Sequence, residues 1–288
     1  MYYQKILVAI NIYEDCEHLI NAACSVAKKL NAKIDVVTVI DNTAEYVPAA
    51  IDFQKNLQEN AAEKLQNIKP KFEGMSAKFH ILKGNPNHQI VHYADENDYD
   101  LIILGSHGRH GVNLLLGSTA NSVLHKAKCD VLTIRIRENH PNQVADYQKI
   151  LLASDLEDDN IAVAKLAQFF AKTFSSEISV ITVQGDPTII TGIYGVVPEM
   201  QMQIKQERLQ KLKEWSDQFG FRGKNYNHSG NAADEINTIA NSNNYGLIVL
   251  GSHQRSALGR FFLGSTANAV LHHAKQDVLV KKLAKNSE

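Results

Sequence analysis

The chain has 288 residues, 44% hydrophobic and 21% charged, the length and composition of about two ordinary globular domains. A formal net charge of −1 lacks the basic excess of a dedicated nucleic-acid binder, so that class of partner is excluded. The N-terminus carries no charged leader, no run of 18 apolar residues occurs, and the three cysteines match no zinc spacing. The expectation is therefore a cytoplasmic protein without membrane contact, its thiols reduced and buried.

In chain order, short runs rich in Val, Ile and Leu alternate with longer amphipathic stretches. Strands are expected at Lys5 to Ile10, Ile34 to Ile40, Ala77 to Leu82, Leu101 to Leu104 and Val131 to Ile136. Their apolar residues follow one another rather than alternate, the pattern of parallel strands covered on both faces. Helices are expected near 15–30, 51–68, 87–97 and 118–127, with Leu57, Ala61, Leu65 and Ile68 marking one apolar face. The segments Asp41 to Ala50 and Gln184 to Glu199 show no periodicity, and the second, with its Gly and Pro residues, reads as a loop covering a cleft.

The second half repeats the first. Gln4 to Ala9 recurs at Gln148 to Ala153 with an offset of 144. Leu101 to His107 recurs at Leu247 to His253 with an offset of 146. Gly117 to Leu132 recurs at Gly264 to Leu279 with 13 of 16 positions identical. These matches divide the chain into domains at 1–137 and 147–283, joined by a polar, proline-bearing linker at 138–146 and followed by a tail at 284–288. The fold class is α/β: two tandem open, mostly parallel five-stranded sheets with helices on both faces, a Rossmann-like arrangement.

In such a sheet, ligands bind beyond the carboxyl ends of the strands. Asn11 and Asp155 end the first strand of each copy, and Gly105 and Gly251 end the fourth. A glycine-bearing loop follows each fourth strand, with Gly108 and Arg109 in copy one and Arg255 and Arg260 in copy two. Gly117-Ser118-Thr119 and Gly264-Ser265-Thr266 then open a helix. Glycines let main-chain N–H groups approach a phosphate, and a helix start favours negative charge. The competing reading is a tight turn with a Ser or Thr N-cap. Neither the Walker loop nor the dinucleotide fingerprint is present.

Taken together, the Leu101 to Leu104 strand, the Gly-Ser-His-Gly loop, the Gly-Ser-Thr helix start, the Gly84-Asn85-Pro86 helix entry and the final Val-Leu strand resemble the universal stress protein family. The resemblance covers roughly 1–137 and 147–283, a tandem arrangement. It implies an adenine-nucleotide-binding α/β fold in a cytoplasmic stress-response protein, with ATP, accompanied by Mg²⁺, held through a Gly-x2-Gly-x9-Gly-Ser/Thr loop. Carried over, that motif falls on Gly105, Gly108, Gly117 and Ser118 in copy one, and on Gly251, Gly264 and Ser265 in copy two. Copy one departs from it with eight residues between Gly108 and Gly117, and with Asn11 where the family usually has an Asp. Copy two has Asp155 and the nine-residue spacing, but Gln254 replaces the second glycine. The shortened loop also resembles a subgroup that binds nucleotide weakly or not at all.

Three function classes stand open: a nucleotide-holding stress protein without fast turnover, an interaction scaffold with degenerate loops, and a slow ATPase or autokinase. His107, His110, His125, His253, His272 and His273 fall near the loops but form no known ligand spacing, so no dedicated metal site is expected. Asp155, Glu157, Asp158 and Asp159 read as a helix-start charge run rather than a catalytic cluster. The closing strands, Val131 to Ile136 and Val278 to Val280, would lie at sheet edges that need covering. The expectation is an internal pseudo-dimer, with a homodimer as the alternative.

Overall fold

The computed structural model describes residues 2–40, 51–106, 116–136, 145–185, 198–252 and 263–283, with only the backbone at 51–54 and 198–201. Among these residues the chain divides into two compact units, the first running to Ala145 and the second starting at Asp146.

In the first unit, β1 (Lys5–Ile10), β2 (Lys33–Ile40), β3 (Ala77–Lys83), β4 (Leu101–Gly105) and β5 (Asp130–Ile134) lie in the order β3-β2-β1-β4-β5. Every neighbouring pair is parallel. The intervening helices are α1 (Glu17–Leu30), α2 (Ile51–Ile68), α3 (Pro86–Glu96) and α4 (Ser118–Lys126). In the second unit, β6 (Lys149–Ala153), β7 (Glu177–Gln184), β8 (Asn225–Ser229), β9 (Leu247–Ser252) and β10 (Asp277–Lys282) repeat the pattern as β8-β7-β6-β9-β10, again parallel. Its helices are α5 (Ile161–Phe174), α6 (Pro198–Phe219), α7 (Ala232–Ser242) and α8 (Ser265–His273).

The central strands carry the cores. Ile6, Leu7 and Val8 of β1, and Ile150, Leu151 and Leu152 of β6, are fully buried, as residues covered on both faces must be. The edge strands differ from the sequence expectation. β3 and β8 are half-buried along most of their length, because an outermost strand has a neighbour on one side only. α1 and α5 both end on a left-handed residue, Asn31 (φ 52°) and Ser175 (φ 58°). α6 starts at Pro198, its fixed φ suiting a first helical position, so Pro198 and Glu199, expected in the irregular stretch, are helical. The rest of that stretch from 186 on, the segment Asp41 to Ala50 and most of the linker lie outside the described residues.

In each unit the strand order reverses between the first and fourth strands, β1/β4 and β6/β9, which opens a crevice at their carboxyl ends. Among the described residues, no helix is long and apolar enough to cross a membrane.

Candidate functional site

In the second unit a cavity of about 520 Å³ lies at that crevice. Ala153, Ser154 and Asp155 bring it the end of β6, Ile181 and Val183 a face of β7, and Leu250 and Gly251 the end of β9. Ala232 and Ile236 of α7 form another wall, and Leu263 to Ala267 supply the start of α8. The size is that of a small-molecule pocket, apolar with a few convergent polar groups. Its apolar residues, Ile181, Val183, Ile236 and Leu263, can hold a flat ring, while Asp155 is the one formally charged side chain among the described lining residues.

The start of α8 is built to attract an anion. Its N-cap is Gly264, which has no side chain to cap with, and no acidic residue occupies the first turn. The first intrahelical bond runs from Asn268 N to Gly264 O at 2.9 Å, so helix geometry leaves the main-chain N–H groups of Ser265, Thr266 and Ala267 without an intrahelical acceptor. In the first unit, α4 begins the same way, with Gly117 as N-cap and Asn121 N bonded to Gly117 O at 2.9 Å. Ser118 and Ser265 are therefore first helical residues and not caps; the tight turn with a hydroxyl cap does not form. Thr119 and Thr266 follow them in the same first turn.

The glycines are needed for different reasons. Gly117 (φ −62°, ψ 150°) and Gly264 (φ −58°, ψ 154°) have backbone angles open to any residue, so they contribute only the absence of a side chain at the helix mouth. At Gly251 a Cβ would lie 3.0 Å from both Asn160 Oδ1 and Val163 Cγ2, so a glycine here lets the end of β9 pack closely against the start of α5. Gly105 ends β4 at the equivalent place. The Gly117 N–H donates to Ser106 O at 2.8 Å, which ties the start of α4 to the end of β4. Gly108, Arg109, His107, His110, His253, Gln254, Arg255 and Arg260 lie outside the described residues.

Asn11 and Asp155 make the same local turn. Asn11 Oδ1 accepts the Tyr13 N–H at 3.2 Å, and Asp155 Oδ1 accepts the Glu157 N–H at 3.1 Å. Only Asp155 has a second partner five residues on, the Asn160 side chain, whose Nδ2 donates to Oδ1 at 2.5 Å. Leu156, beside it, is buried with φ at +64°, a left-handed angle that costs a branched apolar residue about 1–2 kcal/mol. Asp158 and Asp159 sit in a single 3-10 turn, Asp158–Asn160, ahead of α5, as a helix-start charge run would.

Cys24 is buried, but Cys16 and Cys129 are only half-buried, a departure from the expectation that all three are core residues. Burial pushes the Cys16 thiol up, and the Asp15 charge adds to this, so it is no activated nucleophile. His125, His272 and His273 lie in the last turns of α4 and α8, at the opposite ends of these helices from the glycine mouths. Among the described residues, no group of three His, Cys, Asp or Glu side chains is arranged to hold a metal ion.

Reasoning on sequence missed Asn160, Ile181, Val183, Ala232, Ile236 and Leu263. Asn160 belongs to no motif that the sequence offers, and the apolar residues have the composition of core. The one signal available was the exchange of Asp155 and Asn160 for Asn11 and Cys16 between the aligned copies.

The Universal stress protein family profile matches residues 2–135 and 146–282, one copy in each half of the chain. Universal stress protein A homolog 1 of Coxiella burnetii is 34% identical over 144 residues, 48% of this chain and 100% of that protein. Universal stress protein A homolog 2 of the same organism is 37% identical over 142 residues, 47% of this chain and 97% of its own length. A universal stress protein from Archaeoglobus fulgidus superposes with a TM-score of 0.76 at 22% identity, covering 99% of this chain and 100% of that one. This last likeness is one of fold.

Proposed function

Because the chain belongs to the universal stress protein family and carries two of its domains in tandem, we propose that its second unit holds an adenine nucleotide, ATP, at the β6/β9 crevice without turning it over rapidly. The observation that carries this reading is the cavity itself. One 520 Å³ space is bordered by a carboxylate at Asp155, an apolar slot at Ile181, Val183 and Ile236, and the uncapped start of α8. A nucleotide needs those three surfaces. The base would lie against the apolar residues, and the ribose hydroxyls would donate to Asp155. The phosphates would meet the N–H groups of Ser265, Thr266 and Ala267, with Arg255 supplying charge from the adjoining loop. Holding is favoured over hydrolysis because Asp155, the one ionisable side chain among the described lining residues, sits at the end of β6, the ribose end of this arrangement, while the phosphates lie at α8. Mg²⁺ would arrive with the triphosphate and be held mainly by its oxygens.

The first unit supports a second reading for itself. It has Asn11 and Cys16 where the second has Asp155 and Asn160, so the acid that reads a ribose is gone. We assign Gly105, Gly108, Gly117, Ser118 and Thr119 to a weaker anion site, and the unit as a whole to partner binding.

Calorimetry with ATP and Mg²⁺, alongside mass spectrometry of nucleotide released on denaturation, tests both readings. Binding at one site per chain is expected, abolished by Gly264→Val and unchanged by Gly117→Val. Loss through Gly117→Val alone would reverse the assignment, and absence of any bound or titratable nucleotide would leave the scaffold reading for both units.

A further inference from the structure

The outer edges of the two units are built differently. β3 runs for seven residues, and β2 is its only strand neighbour among the described residues. The Lys78 N–H turns inward to Asp35 Oδ1 at 3.0 Å, and the Gly84 N–H to Ile40 O at 2.9 Å. Main-chain groups alternate in direction along a strand, so Ala77, Phe79, Ile81 and Lys83 hold their N–H and C=O groups toward the open side. A groove of about 610 Å³ lies along this edge. Phe72, Met75 and Phe79 give it an apolar lining, Lys69 and Lys78 are exposed beside them, and no acidic residue lines it. In the second unit β8 is only five residues long. The bond from Val180 N–H to Lys224 O fixes its alternation, which turns Asn225, Asn227 and Ser229 outward, a shorter and wholly polar row. Two of those side chains are tied to α6: Asn225 Oδ1 accepts the Ser216 hydroxyl at 2.7 Å, and Asn227 Nδ2 donates to Lys205 O at 3.2 Å.

Resting on the reading of the first unit as the partner-binding half, we propose that the β3 edge receives an extended acidic segment of another protein as an added strand. Main-chain pairing with Ala77, Phe79 and Ile81 supplies the affinity, and the side chains alternating along the added strand supply the specificity. One row of them lies against Phe72, Met75 and Phe79. The other row lies beside Lys78, which points to the opposite face of β3 from Phe79 and selects acidic residues. A second copy of this chain does not suit the same edge. It would set Lys78 and Lys83 against the same lysines with no acid between them, and lysines on an edge strand repel another such edge.

The test pans a displayed library of random peptides, each the seven-residue length of β3, on the full chain. Sequences that alternate apolar and acidic residues should be enriched, and fluorescence anisotropy then follows the binding of one of them. Ile81→Pro removes an outward N–H that no strand of its own unit uses, a place where an edge strand tolerates proline. It should weaken the peptide by about tenfold or more. Lys78→Glu should weaken it by about fivefold. Asn227→Pro, the matching change on β8, should leave binding unchanged. Should Ile81→Pro unfold, N-methylation of alternate amides in the peptide asks the same question without altering the protein: one set of methyl groups should abolish binding and the other spare it. A peptide that tolerates both sets, or that keeps its affinity in Ile81→Pro and Lys78→Glu, overturns the proposal. If such a peptide cross-links to the first unit, the partner-binding reading stands without this edge; if it cross-links to the second, or if no sequence is enriched, both fall. A wild-type dimer that Ile81→Pro dissociates would seat a second copy on β3 and equally overturn the proposal.

Discussion

The two units share one topology and differ at three places where the same backbone is supported by different side chains. At the carboxyl edge, Asp155 and Asn160 stand against Asn11 and Cys16. At the opposite edge, Asp35 of β2 stands against Ser179 of β7. Asp35 accepts the Lys78 N–H at 3.0 Å and the Tyr99 hydroxyl at 2.7 Å, whereas Ser179 Oγ accepts the Lys224 N–H at 2.8 Å. In the edge strands, His80 of β3 stands against Tyr226 of β8, whose hydroxyl meets that of Tyr245 at 3.2 Å. Only at the opposite edge does the repeat preserve the hydrogen bond, to the N–H of the neighbouring strand, and change the group that accepts it. At the other two places the second unit's side-chain pair is not reproduced by the aligned residues of the first, so the duplicated backbone tolerates different side-chain pairings.

The largest expected effect tests a strand entry that has diverged in the same way. Gly223, just before β8, donates its N–H to Ile178 O at 2.8 Å, and a Cβ there would collide with that carbonyl and with Ser179 Oγ. Gly223→Ala should destabilise the second unit by about 3 kcal/mol in urea denaturation. The reciprocal Ala77→Gly in the first unit should cost about 1 kcal/mol or less. Equal costs would mean that the two strand entries are built alike after all.

Next comes the buried carboxylate. Asp35→Ala removes the acceptor of the part-buried Lys78 N–H and the carboxylate partner of the buried Tyr99 hydroxyl, and should cost about 2 kcal/mol, against about 1 kcal/mol for Ser179→Ala. Hydrogen exchange at the Lys78 and Lys224 amides assigns each loss to its unit. Ser179 Oγ also meets the Tyr245 hydroxyl, so a Ser179→Ala cost above that of Asp35→Ala would place the weight of this edge on the tyrosine contact.

The smallest effect is the pH dependence that His80 gives the first unit. Burial pushes the His80 imidazole below its ordinary value of 6.5, outweighing the opposing pull of Asp35, and its Nε2 has no hydrogen-bond partner. The fold therefore prefers the neutral ring. Its contribution is complete above 6.5 and is lost as the pH falls below that value toward the folded-state pKa. His80→Tyr, which copies the second unit, should flatten the stability difference between about pH 7.5 and about pH 5. An unchanged slope would show that other groups set it.

Much of this was legible in the sequence. The uninterrupted Val, Ile and Leu runs placed the strands to within about two residues, because a parallel strand buried on both faces has no polar alternation to disguise it. The edge strands were misjudged as fully covered, since exposure depends on position in the sheet order rather than on the strand's own residues. Gly-Ser-Thr marked a helix start correctly, but which residue capped it was decided by the incoming backbone, with Gly117 and Gly264 taking the place a serine would have filled. Asn160 illustrates the rest. Its sequence neighbourhood, an acid run followed by an apolar helix, holds no motif that points to Asp155.

By itself, the sequence determined the duplication, the α/β class and the presence of an acid at the end of β6 and a glycine-led helix at α8, because repeats, hydrophobic runs and helix starts are properties of neighbouring residues. The tertiary structure decided that Asp155, Ile181, Ile236 and Ser265 border one space, and that Asn160 turns toward Asp155 rather than toward its own helix. Parallel strands meet only after long crossovers, so which side chains share a crevice follows from strand order, and strand order is set by packing the whole unit at once.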